Sequence, residues 1–149
     1  MSKDVKNNFI LTAKNQKDLE IISTYSQDSI VAIKDVIFLG KNRIFIMIIN
    51  RFMWESVEKD TYNKNKRIRC AIKFEDVLKV KSKRINQKNK NKNLECLAIK
   101  CNEVLNKNYH INFFFSGGGV ISLITESIEV VMNDLGESWN VKPIPQHKI

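Results

Sequence analysis

Residues 30 to 124 consist largely of short segments in which apolar and polar side chains alternate. A period of two is typical of a β-strand that buries one face, because successive side chains of a strand point to opposite sides. Polar or glycine-containing breaks, such as Gly40–Asn42 and 106–108, separate several of these segments. The pattern predicts an antiparallel meander of about seven strands, at 30–39, 43–52, 66–74, 77–84, 94–102, 109–115 and 120–124.

A helical pattern precedes the first of these strands. Leu19, Ile22 and Tyr25 recur at helical spacing, and Asn15 followed three residues later by Asp18 is typical of a helix N-terminus. The sequence therefore predicts an N-terminal helix at 16–27.

A second helical pattern follows the last predicted strand. Thr125 is a suitable N-cap, and Gly136 is placed to end a helix. A C-terminal helix against a meander curled into a barrel or orthogonal sheets makes an α+β fold, and this order resembles the pleckstrin-homology-like architecture. The apolar residues at helical spacing in the second pattern are Ile128, Val131, Met132 and Leu135.

Length and composition predict one folded domain. A chain of 149 residues encloses a single core, and 43% hydrophobic and 28% charged residues are ordinary globular proportions. We expect residues 1–149 to form one domain, with loosely ordered tails at 1–14 and 141–149 and a mobile loop at 86–93. No apolar run approaches the roughly 20 residues that cross a bilayer, and the N-terminus has no signal-peptide core, so we expect a cytoplasmic protein.

The formal net charge of +9 invites a polyanion partner, because clustered Lys and Arg neutralise phosphates. Arginine is the better reader of phosphates and bases, however, and it is much scarcer here than lysine. Many of the basic residues alternate with apolar ones, which also fits the solvated face of a sheet. The candidate polyanion residues are Arg67, Arg69, Lys79, Lys81, Lys83 and Arg84.

Neither the cysteines nor the histidines form a metal-binding or catalytic pattern. Cys70, Cys96 and Cys101 are odd in number and include no Cys-x-x-Cys pair, which argues against a disulfide framework and a zinc site. His110 and His147 lack the spacing of a metal pair and have no obvious nucleophile partner. We predict reduced core thiols, no metal, no cofactor and no catalytic residue.

Three consecutive glycines, Gly117, Gly118 and Gly119, follow Ser116 at the end of an aromatic segment. A phosphate-binding glycine loop leads into a helix N-terminus, whereas the residues that follow here have a strand pattern. This context favours a turn that needs positive φ, or a bulge at a close backbone approach. A ligand-contacting loop at 116–119 is the alternative.

Two motifs, Asn50-Arg-Phe-Met-Trp-Glu55 and Phe115-Ser-Gly-Gly-Gly119, stand out in the chain. Together with weaker matches along nearly the whole sequence, they resemble a family of small bacterial proteins catalogued as a domain of unknown function. The resemblance implies a compact single-domain protein and transfers no catalytic residue.

The first motif contains the polar set Asn50, Arg51, Trp54 and Glu55. An arginine and an amide beside an exposed indole can hold an anionic or planar ligand by hydrogen bonds and stacking. The structural alternative is that Trp54 packs in the core, Arg51 pairs with Glu55 or with a helix carboxylate such as Glu126 or Glu129, and Asn50 closes a strand end.

The sequence alone does not assign an activity. It favours a non-enzymatic binding or adaptor module that holds a protein or peptide partner at a sheet edge, at 50–55 or at the barrel mouth. Nucleic-acid binding through the basic sheet face is the first alternative. An enzyme with a cryptic site is the second, and the oligomeric state is left open.

Overall fold

A computed structural model describes residues 9–54, 66–104 and 107–140, with side chains described as far as Gly136. These residues form ten strands and one α-helix. The elements are β1 (Ile10–Ala13), α1 (Gln16–Ser26), β2 (Ile30–Ala32), β3 (Val36–Leu39), β4 (Ile44–Phe52), β5 (Lys66–Phe74), β6 (Val77–Lys83), β7 (Asn93–Glu103), β8 (Tyr109–Phe115), β9 (Val120–Thr125) and β10 (Val130–Asn140).

The strands form one bent antiparallel sheet. Its order is β1-β10-β5-β4-β2-β7-β8-β9-β6, and β3 pairs with β4 next to β2. We call β1 to β5 with β10 the first half of the sheet, and β6 to β9 the second half. The chain passes twice between the halves by short connections, from β5 into β6 and from β9 into β10.

The sheet folds back at these two connections. Asp76 separates β5 from β6 in the left-handed conformation, with φ of 58°, which Asp tolerates better than most residues. Beside it, Glu126 N donates to Asp76 O at 2.9 Å, so the second connection runs alongside the first. The predicted break at Glu75 and Asp76 is therefore the corner of the sheet.

The core lies between the two halves. In β4, Phe45, Met47 and Ile49 are at most 1% exposed, while the residues between them are partly exposed. The Phe45 ring lies 5.8 Å from that of Phe113 in β8, and the Phe74 ring lies 5.3 Å from the same residue, measured between centroids. These aromatic contacts join the two halves.

A helix lies where the N-terminal pattern predicts one, although β1 precedes it. The side chain of Asn15 accepts a hydrogen bond from the backbone of the third helical residue at 2.8 Å, the expected N-cap. Leu19 and Ile22 of α1 are buried in the core. The helix also covers an edge of β7, since Ile99 N donates to Ser23 Oγ at 2.9 Å.

The predicted C-terminal helix is wrong. Val130–Asn140 form β10, which pairs with β5 on one side and β1 on the other. Val130, Met132 and Asp134 are buried and the residues between them are more exposed, a period of two. The apolar spacing at 128–135 fits a helix as well as a strand, and the β-branched valines and the available edge of β5 favour the strand.

The α+β class holds broadly, as a mostly antiparallel sheet with one helix in the described residues. The pleckstrin-homology-like order ends in a helix, so that finer prediction is not confirmed. The strand number rises from about seven to ten through β1, β10 and the division of 30–39, where a 3₁₀ turn at Ile33–Asp35 separates β2 from β3.

The structure describes backbone contacts in two of the segments predicted to be loose, 1–14 and 86–93, and their mobility stays a prediction. Residues 86–93 form turns that lead into β7, and Lys34 N donates to Lys90 O at 3.0 Å. The predicted tail 1–14 includes β1, whereas 141–149 lies outside the described residues. None of the helices in the described part of the chain has the length and apolar composition needed to span a bilayer.

The segment 116–119 is a tight turn between β8 and β9, as the sequence favours. Gly117 and Gly118 have φ values of 85° and 88°, which suit glycine. Gly119 has an ordinary φ of −70°, but an added Cβ would lie 2.9 Å from Ile85 Cγ1. Positive φ and close approach therefore both occur, at successive glycines.

Replacing Gly119 by Ala should destabilise the protein by about 1–3 kcal/mol, because the new methyl group overpacks against Ile85. The free energy of unfolding in urea measures this effect. In an Ile85→Ala background most of the cost should disappear. An equal cost in both backgrounds would contradict the steric explanation.

Candidate functional site

Arg51, the central residue of the first motif, is fully buried in β4. Its guanidinium forms two hydrogen bonds with the carboxylate of Asp134 in β10, from Nε to Oδ1 at 2.8 Å and from Nη2 to Oδ2 at 2.7 Å. Both side chains are 0% exposed. Since β4 and β10 each pair with β5, this bidentate ion pair spans the strand between them.

Aromatic rings surround the same guanidinium. Its central carbon lies 4.3 Å from the ring centroid of Phe9 and 5.8 Å from that of Tyr25. A planar cation over a ring face is stabilised by the quadrupole of the ring. Arg51 thus belongs to the interior, and the ion-pair partner that the structure describes is Asp134 rather than the Glu126 or Glu129 of the structural alternative.

Trp54 and Arg67 are engaged with backbone carbonyls. Trp54 Nε1 donates to Gln27 O at 3.2 Å, and Arg67 Nη1 donates to Asn50 O at 3.0 Å. Desolvation lowers the pKa of Arg67, although the charge of Asp28 opposes this. The Oδ1 atom of Asn50 is buried and accepts no hydrogen bond in the described structure.

Within the described residues of the predicted ligand site, 50–54, the guanidinium and the indole N–H are therefore already engaged by other groups of the protein. Arg51 has no exposed surface, and the indole N–H of Trp54 is engaged in a backbone contact. Glu55 lies outside the described residues.

The six candidate polyanion residues lie in two places. The arginines of β5 are engaged within the protein: Arg69 Nη2 lies 3.8 Å from Asp35 Oδ2, and Arg67 donates to backbone carbonyls. The lysines of β6 are exposed and form no ion pair within the described part of the chain. These lysines are Lys79, Lys81 and Lys83, and Arg84 follows them directly.

The structure brings Arg84 to the glycine turn, although the sequence analysis assigned them to different sites. Its Nη1 atom would lie 3.4 Å from a Cβ placed on Gly118. Arg84 itself has a left-handed φ of 58°. Arg84 therefore meets the turn 116–119 at Gly118 and Gly119.

Among the strands that the structure describes, β1, β3 and β6 each pair with one neighbour only. β6 is the last strand in the sheet order and pairs with β9 alone, and β3 pairs with β4 alone. Both border one cavity of about 250 Å³. We call this space between β3 and β6 the seam; Val36 and Phe38 line it from β3, and residues 80–82 from β6.

The seam opens onto the hydrophobic core. Phe45, Leu94 and Ile121 form its base and are all buried. At its rim, Gln87 Nε2 donates to Ser82 Oγ at 2.6 Å. The seam is thus an apolar well with a polar rim, smaller than the roughly 300–1,000 Å³ typical of small-molecule sites.

A second cavity, of about 380 Å³, lies between α1 and β7 and is more polar. Gln16, Glu20, Lys100 and Asn102 contribute its polar lining. No group of His, Cys, Asp and Glu that could hold a metal ion occurs among the described residues.

The cysteines are free thiols, two of them buried. Burial raises the pKa of Cys96 to about 12 and that of Cys101 to about 11. Burial also raises the pKa of Cys70, and the charge of Asp134 adds to this shift. A nucleophilic cysteine needs a lowered pKa, so these surroundings do not activate any of the three.

The chain matches the family model described as "Protein of unknown function (DUF2948)" over residues 9–147. The chain belongs to this family. The match confirms the resemblance to a family of unknown function that the motifs indicate. No curated protein and no solved structure matches the chain.

The sequence analysis missed two features of the site region. Asp134 was placed in a helix, yet on a strand it follows buried Val130 and Met132 at alternate positions, and a carboxylate there signals a buried partner. The seam depends on which strands pair, and no local pattern in the sequence specifies this.

Removing one partner of the buried ion pair, by Arg51→Met or Asp134→Leu, should cost about 3–5 kcal/mol of stability, because an uncompensated charge stays buried. The double variant should recover most of that loss. Urea unfolding of the four proteins gives the coupling energy.

The exposed pair Arg43 and Glu126 supplies a matched control, with side chains 55% and 50% exposed. Arg43→Met and Glu126→Gln should each change stability by less than about 1 kcal/mol. If the single variants of the buried pair lose no more stability than these controls, the structural role of Arg51 is refuted.

Stability should fall as pH rises above about 8.5, the ordinary pKa of an unfolded thiol. Cys96 keeps its proton in the folded state up to its raised pKa of about 12, so only the unfolded state gains from ionisation in this window. The expected loss is about 1.4 kcal/mol per pH unit for such a thiol.

Urea unfolding between pH 7.5 and 10.5 measures this loss, and Cys96→Ala isolates the contribution of Cys96 from other titrating groups. The stability difference between wild type and the variant should shrink with pH. A difference that stays constant to pH 10.5 would refute the assignment.

Proposed function

We propose that this protein is a non-enzymatic peptide-binding module that takes an extended segment of a partner protein along β6 at the seam. The observation that supports this most is that the unpaired edges of β3 and β6 border the same apolar cavity. An unpaired edge offers backbone donors and acceptors with which an added strand can pair.

The cavity supplies an anchor for such a strand. In strand addition, backbone hydrogen bonds give affinity, and pockets for alternate side chains give specificity. Val80 pairs with Leu123 and Ser82 with Ile121, so β6 directs these side chains to the core side. Inward side chains of an added strand would enter the same space, whose volume of about 250 Å³ suits apolar anchors better than a cofactor.

The outer face of β6 supports a choice of partner. Lys79, Lys81 and Lys83 would neighbour the outward residues of the added strand, and opposite charges across strands contribute about 0.2–1 kcal/mol per pair. We therefore expect apolar residues to alternate with acidic ones in the partner segment. A second copy of β6 would place lysine beside lysine, which opposes self-pairing.

The non-enzymatic assignment is supported by the polar groups of the seam. Ser82 Oγ accepts a hydrogen bond from Gln87, and neither histidine nor carboxylate lines the cavity in the described structure. A serine without such a base is a weak nucleophile. The free thiols suit a reducing compartment, so we include a cytoplasmic location in the proposal.

Selection from a displayed library of random twelve-residue peptides tests this function. Enriched peptides should alternate apolar and acidic residues and bind wild type with measurable affinity by fluorescence anisotropy. Phe38→Ser should weaken that binding about tenfold or more, because it removes an aromatic wall of the cavity.

Ile37→Ser is the matched control. Ile37 is adjacent to Phe38 and equally exposed at 39%, but it does not line the cavity. It should leave peptide affinity unchanged. Equal losses in both variants, or no enrichment over an empty matrix, would refute peptide binding at the seam.

A further inference from the structure

The outer face of the second half of the sheet forms a surface that extends well beyond the seam. Residues opposite one another in register share a face of the sheet, so the strands β6, β9, β8 and β7 place twelve outward positions in three rows of four. We call this surface the outer face. Its rows run from Lys83 through Phe114 to Ala98, from Lys81 to Lys100, and from Lys79 through His110 to Asn102.

Every charged residue of the outer face is basic. None of its twelve residues is buried. Four are lysines and none is acidic, although the chain has 16 acidic residues against 25 basic ones. Glu103, the next residue of β7, alternates to the opposite side and pairs with Tyr109. No carboxylate among the twelve residues offsets this positive charge; beside the face, Glu20 of α1 lines the same cavity as Lys100 and Asn102.

The arrangement also contains a platform for a planar group. Phe114 lies on the central strand β8 and is partly exposed, and Lys83 lies in the same row. In the next row Ser122 Oγ donates to Asn112 Oδ1, which orients that amide within the face. An aromatic ring on a face that also carries cations is the combination on which unpaired bases stack while their phosphates are neutralised.

We propose that the outer face binds single-stranded nucleic acid. The lysines of β6 recur about every 6.7 Å along the strand and follow the backbone of the nucleic acid, while Phe114 stacks on a base. A flat sheet has no protruding helix to enter a major groove, so duplex DNA is a poorer ligand. The peptide site pairs with the edge of β6 and this site uses its face, and both include the β6 lysines. Phe38→Ser, which affects only the peptide site, and Phe114→Ala, which affects only this one, separate the two proposals.

Fluorescence anisotropy with a labelled 16-nucleotide RNA, the DNA of the same sequence and its duplex, from 25 to 300 mM KCl, tests this proposal. Both single strands should bind more tightly than the duplex. Lys79→Gln/Lys81→Gln/Lys83→Gln should weaken binding and reduce the slope of log K against log salt by about 2, since each lost phosphate contact removes about 0.7.

The matched control removes three exposed lysines outside the outer face: Lys14→Gln/Lys17→Gln/Lys34→Gln. Both triple variants lose the same net charge. If the position of the lysines determines binding, the control variant should keep the wild-type affinity and the wild-type slope of log K against log salt. Equal losses in the two variants would overturn it and assign the binding to overall charge. Tighter binding of the duplex, or no binding at 25 mM KCl, would overturn it as well.

The aromatic contact has its own test. Phe114→Ala should lower affinity for both single strands about tenfold with an unchanged salt slope, because stacking involves no counterion release. Phe38→Ala, on another surface, should have no effect. If Phe114→Ala unfolds the protein, Phe114→Leu keeps the apolar volume and should still lose stacking. Unchanged affinity in a folded Phe114 variant, or equal binding to phosphatidylserine vesicles that depends on the β6 lysines, would overturn the assignment.

Discussion

The buried ion pair of Arg51 and Asp134 constrains most of the first half of the sheet. β4 and β10 are not neighbours, and the guanidinium reaches across β5 to the carboxylate. Phe9 contributes a ring to the guanidinium and a carbonyl that accepts from Asp134 N at 3.1 Å, and Tyr25 adds the contact with α1. Buried charges are costly unless they are paired and hydrogen-bonded, so this arrangement restricts β1, β4, β10 and α1 to one relative placement.

The seam follows from how the second half is attached to that fixed half. β6 continues from β5 around the corner at Asp76 and pairs with β9 through one edge, so its other edge is left beside the first half. β3 belongs to the first half and is only four residues long. The two edges are joined at one end, where Val77 N donates to Arg43 O at 2.9 Å, and border the cavity beyond it. An opening to the core is thus a consequence of topology, and its apolar base consists of core residues.

The spacing of apolar residues predicted the helix and strands well in segments where it fits only one of the two periods, that of a helix or that of a strand. Strands β4 to β9 and the capped helix after Asn15 lie close to their predicted positions. The C-terminal segment failed because its apolar residues satisfy both periods, and pairing with β5 decided between them. The candidate site was predictable only in part. Phe38 and Ile37 are adjacent apolar residues of one strand, so the sequence alone does not distinguish their roles. Their different roles depend on β6, which is distant in sequence.

The composition of the chain explains why its basic residues are mostly lysines, but it does not explain where they lie. A bias toward lysine acts on all exposed sites alike, and acidic residues remain common in the chain. In the first half and at the corner, basic side chains do lie near acids, as Arg69 near Asp35 and Arg43 beside Glu126. The outer face has no such partner in any of its three rows. Lysines on an edge strand also deter edge-to-edge association, but that role requires charge on β6 alone. Deterring edge-to-edge association does not account for Lys100 on β7. It also does not account for the absence of acidic residues from the outward positions of the strands between β6 and β7.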